Sequence, residues 1–300
     1  MIKDVSNRIK HENTKFDVLG DVLETLRFRG SIFFRSNLAA PWGMSFDNTK
    51  NPRFHIALAG DFFVGHNTKD SEATHINHME VIMLPQGGPH WIADKTNRQL
   101  TPTSMAGEAC ELGTPLFQQG EFTHELVCGV VNYDDQIFHP ILDALPAILH
   151  FSNIQADDPI WKVITLIDKE MSEQSIGQPS IVDRLTEVLF LKLLGQHALD
   201  GTEATGFFSA FHNHRVYQAL KLIHQFPEKQ WSLKLLGESL GMSRATLTRQ
   251  FNSTVGTPPM TYIANWRMAK AFHLLKHSSD TVDQIADKVG FSTPLRFYAQ

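Results

Sequence analysis

Apolar and polar positions change rhythm about half-way along this 300-residue chain. In the first half the apolar residues come in short runs rich in Val, Ile and Phe: FHIALAGDFFVG (54–65), HMEVIMLP (78–85) and HELVCGVVNY (124–133). Gly, Pro and Asn bound each run, which predicts short strands separated by turns and an antiparallel barrel or sandwich. From Asp157 the period lengthens. Ile160, Val163, Ile164 and Ile167 recur at helical spacing, as do Leu185, Val188, Leu189 and Lys192 with its neighbour Leu193. Gly177-Gln-Pro179 separates two helices there, and DGTEATG (200–206) reads as a linker. Beyond Phe211 the pattern is helical throughout.

One short pattern occurs twice in the last third. LKLLGESLGMS (233–243) returns 49 residues later as VDQIADKVGFS (282–292), with Leu233, Leu236, Gly237, Leu240, Gly241 and Met242 matched by Val282, Ile285, Ala286, Val289, Gly290 and Phe291. The apolar residues of each copy make one buried helix face. Gly237 and Ala286 are small where a second helix approaches. Gly241 and Gly290 stand where the chain leaves the helix, a left-handed position cheap for glycine. Ser243 is placed to cap the next helix, and Thr293-Pro294 supplies a cap followed by proline.

In that next helix, SRATLTRQFNST (243–254), Leu247 and Phe251 anchor to the core. Ser243, Arg244, Ala245, Thr246, Thr248, Arg249 and Asn252 form the candidate DNA-facing set, continued in the second copy by Thr293, Arg296 and Gln300. Arg and Asn suit bidentate contacts with guanine and adenine edges, and Thr serves a base or a phosphate. One copy would read as a helical hairpin with a solvated face; two copies on the basic segment point to groove recognition. Residues 210–300 hold eleven Lys and Arg against five Asp and Glu, whereas residues 1–209 are acidic, sixteen against twenty-seven. Pro258-Pro259 opens an intervening helix whose apolar side is Tyr262, Ile263, Trp266, Met268, Ala269, Phe272 and Leu275. About 18 residues span ~27 Å at ~1.5 Å each, close to the ~34 Å between successive major-groove faces.

These residues, from Trp231 to Leu275 with VDQIADKVGFS after them, resemble the DNA-binding domain of AraC/XylS-type transcription regulators. Upstream, LETLRFRGSIFFRSNLAAPWGMSF, MLPQGGPHWIAD and LVCGVVNYDDQIFHPILDALPAILHF resemble the cupin-type domain of such regulators. The resemblance implies an α+β multidomain chain with a cupin-like antiparallel β-barrel over 17–152 and helical linker or dimerisation helices over 155–199. An all-α domain with two helix-turn-helix units follows over 210–300. It further implies promoter DNA, a small-molecule effector and RNA polymerase as partners, and a homodimer. Leu185, Val188, Leu189, Leu193 and Leu194 make an apolar stripe, read first as intramolecular core and otherwise as the subunit contact. The family continues the second recognition helix past the position of Gln300, so residues 293–300 are expected to fray and the second unit to bind weakly.

An enzyme is the rival reading. Pro85-x-Gly87-x-x-His90 matches the second cupin motif, in which the histidine is a metal ligand in cupin enzymes. A reactive metal needs about three protein ligands with a position left open. No HxH occurs, and His75 and His78 are three apart, which on a strand sends them to opposite faces. His90 reads as a satisfied turn or pocket histidine, with ligand contact as the alternative. Trp42, His55, Phe63, His90 and Trp91 form the candidate effector pocket. No metal and no cofactor are expected. A third reading is a truncated regulator that dimerises without tight DNA binding. Two cysteines make no disulfide framework, no apolar run approaches ~18 residues, and the N-terminus carries no secretory h-region, so a cytoplasmic protein without a membrane span is expected.

Overall fold

The computed structural model describes residues 16–66, 73–112, 114–134, 141–173, 175–200 and 206–291. They fall into two compact units. One comprises Arg29–Tyr133 and Leu145–Leu193; the other holds the described residues of Met1–Phe28, Asp134–Ala144 and Leu194–Gln300.

The first unit is built on ten strands: β1 (Arg29–Ala39), β2 (Gly43–Phe46), β3 (Arg53–Ala59), β4 (Phe62–His66), β5 (Thr74–Ile76), β6 (Val81–Leu84), β7 (His90–Ala93), β8 (Thr101–Pro102), β9 (Phe122–Asn132) and β10 (Leu149–Phe151). They pair as two five-stranded sheets, β1-β9-β3-β6-β10 and β5-β4-β7-β2-β8. Leu38, Ala57, Ile82 and Leu126 of one sheet pack with Met44, Phe46, Phe62, Val64 and Ile92 of the other in one core cluster. The expected barrel is thus two facing sheets rather than one closed ring. The short pair β2–β8 runs parallel, where an antiparallel barrel was expected. The apolar run 54–65 becomes two strands, because Gly60 takes φ +73° and turns the chain between β3 and β4.

The strand β1 escapes a reading by hydrophobic runs because its outer side is charged. Arg35 donates to Asp168 at 2.7 Å and to Glu125 at 2.9 Å. Asp168 belongs to helix α3 (Pro159–Glu173), which follows the smaller α2 (Thr103–Glu111). Helix α4 (Gln178–Asp200) comes next. The stripe expected on it divides: Leu189, Leu193 and Leu194 are buried, Leu185 is half-buried, and Val188 is exposed together with Ile181 and Leu191.

The second unit contains α1 (Val18–Thr25), α5 (Gly206–Ser209), a 3-10 turn at Ala210–His212, α6 (His214–Gln225), α7 (Leu233–Leu240), α8 (Arg244–Val255), α9 (Pro259–His277) and α10 (Val282–Val289). The linker expected over 200–206 lies outside the described residues except at its two ends. In each copy the first helix and the glycine that ends it fold as the spacing predicts, while Ser292 and the expected Thr293-Pro294 cap lie outside the described residues. Gly241 and Gly290 end α7 and α10 with φ +64° and +83°. A Cβ on Gly237 would sit 2.7 Å from the Met242 carbonyl oxygen, so the turn packs against the helix only because that side chain is absent.

Helix α9 differs from expectation in one respect. Tyr262, Ile263, Trp266 and Ala269 are buried, but Leu275 is 43% exposed and Phe272 half-buried. A second buried face appears instead, where Ala271, with Met268 and Leu274, packs on Ile285, Ala286, Val289 and Phe291. A helix that packs on two sides cannot be assigned one apolar stripe from its periodicity.

Candidate nucleic-acid interface and barrel interior

The recognition segment follows from its cap and its anchors. Ser243 is extended and its hydroxyl accepts from the Thr246 amide at 3.2 Å, satisfying one donor at the start of α8. Leu247 and Phe251 are fully buried, and Val255 continues their row. Phe251 meets Tyr262 of α9 edge-on at 5.6 Å. This fixes which side of α8 remains outside. Ser243, Arg244, Ala245, Arg249 and Asn252 are exposed, whereas Thr246 and Thr248 are half-buried. Thr246 is less free than expected, because its hydroxyl lies 2.9 Å from the Ser243 hydroxyl and belongs to the cap. Thr293, Arg296 and Gln300, and the fraying expected over 293–300, lie outside the described residues.

The end of α10 is tied to the rest of its domain by backbone contact. Gly290 lies so close to Glu228 that a Cβ would come within 2.6 Å of its carbonyl oxygen. Gln230 donates its amide to the Gly290 carbonyl at 2.8 Å. Thr281 caps α10, and Gln284 returns a hydrogen bond to the cap residue.

In the β unit the five candidate pocket residues separate. His55 and His90 face inward and meet, Nε2 to Nε2, at 2.8 Å. Trp42 is also inside but packs elsewhere, with Phe62 at 6.4 Å and His124 at 5.3 Å. It lines a separate groove of about 470 Å³ with Gly43, Arg98, Gln99 and Phe117. Phe63 stacks on His75 at 4.6 Å and pairs in register with it. Trp91 pairs with Gly65 on that same face of the sheet, opposite to the one carrying Phe62 and Val64. His75 lies on β5 and reaches Asp61 at 2.5 Å, while His78 sits in the turn beyond that strand and meets Trp161 edge-on at 5.8 Å.

The proton positions around His55 and His90 are fixed by their neighbours. A carbonyl only accepts, so His90 donates Nδ1–H to Gly88 O at 2.8 Å, leaving its Nε2 as an acceptor. His55 therefore donates from Nε2, and its Nδ1 accepts from the Cys128 thiol at 2.9 Å. Every ring nitrogen is occupied, and no group of three potential ligands that could hold a metal occurs among the described residues. Burial holds both imidazoles neutral. It lowers His55 well below the ordinary histidine value and His90 to about 4, and it pushes the Cys128 thiol up.

Sequence reading missed the residue beside them. Arg53, His55 and Ala57 alternate on one face of β3, and Arg53 pairs with Leu84 and Val130 at the strand's first residue. Its guanidinium lies over Phe46 at 5.3 Å and Phe33 at 6.0 Å. Phe46 in turn stacks on His90 at 4.6 Å. Arg53 Nε and Nη1 are buried and have no hydrogen-bond partner among the described residues. Burial lowers its pKa, partly opposed by the charge of Asp47. The interior therefore has an apolar end, at Trp42 and Phe62, and a polar end at Arg53, His55, His90 and Cys128. The alternation of RFHIALA carried this signal, since period two puts Arg53 and His55 on one face.

A second buried histidine organises the helical unit. His224 of α6 is 2.8 Å from the Tyr262 hydroxyl and 2.9 Å from an Asp21 oxygen of α1. The carboxylate accepts from Nδ1–H, so Tyr262 donates to Nε2. Lys270 of α9 pairs with the other Asp21 oxygen. Burial raises the Asp21 pKa, but the hydrogen bonds and charges of His224 and Lys270 outweigh it and leave the value lowered. Burial lowers His224, with Asp21 opposing it.

A capped helical pair, α7 with α8, followed by the long α9 and by α10, in one chain with a two-sheet β domain, defines a helix-turn-helix protein with a cupin-type domain. The cupin family model matches residues 17–198, and the helix-turn-helix domain model matches 236–300. The chain belongs to the AraC/XylS family of transcription regulators with an N-terminal cupin domain. It is 26% identical to the HTH-type transcriptional regulator AlkR of Acinetobacter baylyi, over 94% of each chain. It is 24% identical to the HTH-type transcriptional regulator MtrA of Neisseria gonorrhoeae, over 94% of this chain and 92% of that one. The crystal structure of ToxT from Vibrio cholerae is similar over 91% of both chains at 12% identity, with a TM-score of 0.32.

Proposed function

We propose that the protein is a cytoplasmic regulator that binds a specific promoter site through its helical domain, under the control of a small molecule held in the cupin-type domain. The observation that carries the DNA-binding half is α8, with Leu247 and Phe251 fully buried and Arg244, Arg249 and Asn252 exposed beyond a capped N-terminus. That is the arrangement a major-groove helix requires. Arg249 reads base edges, Ser243 and Thr246 hold the helix start at the phosphates, and Arg244 and Asn252 flank them. Thr293, Arg296 and Gln300 take the corresponding part for the second groove.

The regulator acts by binding rather than by catalysis, because the cupin motif histidine spends both nitrogens inside the core. No helix among the described residues is long and apolar enough to cross a membrane. Ile181, Val188 and Leu191, exposed along one side of α4, support a homodimer contact there. RNA polymerase is the partner through which promoter binding changes transcription.

The test is binding to the upstream region of the protein's own gene. Affinity is expected to fall steeply with salt, since phosphate contacts release counterions. Arg249→Ala is expected to weaken specific binding by about 1–3 kcal/mol. Equal losses on the specific site and on random DNA would show that Arg249 touches phosphate alone.

A further inference from the structure

The polar end of the interior between the two sheets contains a cation that no carboxylate contacts among the described residues. Arg53 forms no ion pair among the described residues, and two of its nitrogens are buried without acceptors. Such a group is costly unless something supplies the missing acceptors. The neighbouring polar groups do not: His55, His90, Cys128 and the Gly88 carbonyl satisfy one another in a closed sequence of hydrogen bonds. Asp47 acts on Arg53 through space and raises its pKa, but it makes no hydrogen bond with it. The side chains recorded against the guanidinium are aromatic. Phe46 is buried beneath the guanidinium, Leu84 pairs with Arg53 across the strand, and Phe33, 46% exposed, forms the outer wall.

We propose that Arg53 anchors a small monocarboxylate whose apolar body lies against the exposed Phe33, at the polar end of the interior between the two sheets. The class of ligand follows from the wall. A cation with unfilled donors, reached by Asp47 only through space, calls for one negative charge in contact with it, and the planar guanidinium matches a carboxylate in shape. Because the nearby polar groups are spent on one another, the wall offers little to a sugar's hydroxyls and favours a hydrocarbon or aryl body. The histidines serve as a wall that is neutral at physiological pH and so adds no competing charge. This deepens the reading of the cupin-type domain as effector-binding, and rests on it.

The experiment compares acids with neutral isosteres on the full chain. Thermal shift and calorimetric titration at pH 7.5 would use octanoate and benzoate against 1-octanol and benzyl alcohol, for wild type, Arg53→Gln and Arg53→Lys. The expected result is that the acids bind and raise the wild-type melting temperature. Their affinity should fall roughly ten- to hundredfold in Arg53→Gln, the loss of a hydrogen bond to a charged group, and be partly kept in Arg53→Lys. The alcohols should be unaffected by either change. The apo Arg53→Gln protein is expected to be at least as stable as wild type, because it buries fewer unsatisfied donors. Acids and alcohols binding alike to all three proteins would overturn the carboxylate claim and leave an effector-binding domain standing. No binding of acids or alcohols, in protein that still shifts its own promoter, would overturn both.

Discussion

The β unit and the helical unit each bury a histidine with both ring nitrogens engaged, and the two arrangements end differently. His55 and His90 lie between a thiol and a peptide carbonyl, so the series of donors and acceptors contains no ion. His224 lies between a phenol and the Asp21 carboxylate, and that carboxylate also takes the Lys270 ammonium. A neutral series sets ring orientations inside one core. A charged one can hold a separate segment, because removing its acid strands two groups at once. The segment is α1, whose Thr25 carbonyl also accepts from His273 of α9 at 3.0 Å.

Three changes break or sharpen this contrast. Asp21→Ala is expected to have the largest effect, about 3 kcal/mol on the helical unit, because Lys270 and His224 lose a shared partner in a largely buried place. It should appear as a lower urea midpoint for that unit and lost hydrogen-exchange protection over 18–25. Unchanged protection there would show that apolar packing alone holds α1. His90→Leu should cost about 2 kcal/mol, since the His55 N–H is left without an acceptor. It also changes the acid limb. His55 and His90 bind protons less readily in the fold than in the unfolded chain, so their contribution is complete above about 6.5; that of His90 is lost as pH falls toward about 4, and His55, also lowered by burial, acts in the same direction. Wild-type stability should decline through that window, and the decline should be shallower in the variant; an identical slope would show that other groups drive it. Tyr262→Phe is the mildest, about 1 kcal/mol. It removes the donor to His224 Nε2 and keeps the ion pair, so protection over 18–25 should persist.

The parts of the molecule legible in the sequence are those whose reasons are local. Gly241 and Ser243, or Gly290 and Thr281, sit within a few residues of the helices they end or begin, and the repeat shows each turn twice. The polar end between the two sheets is legible only in part. Arg53 and His55 are two apart, but His90 and Cys128 join them through the pairing of β3 with β9 and the facing of two sheets, which no local pattern states. Phe63 and Trp91 were grouped with them by residue type, whereas strand alternation sends those two to the other side. The α1 contact is harder still. Asp21 stands more than 200 residues from His224 and Lys270, and a single acid on a short helix predicts no partner at that distance.

Helix α9 has the two-sided packing already described, and this makes its length discontinuous as an evolutionary variable. Tyr262, Ile263 and Trp266 near one end and Ala271 further along belong to different cores. Each residue inserted between them would advance the far core by about 1.5 Å and swing it by about 100° around the axis, facing Ala271 away from Ile285. Only additions close to whole turns, about seven residues for two of them, restore both orientations. Relatives of this protein should therefore vary freely in the loops around α9 while its middle stays one length, or jumps.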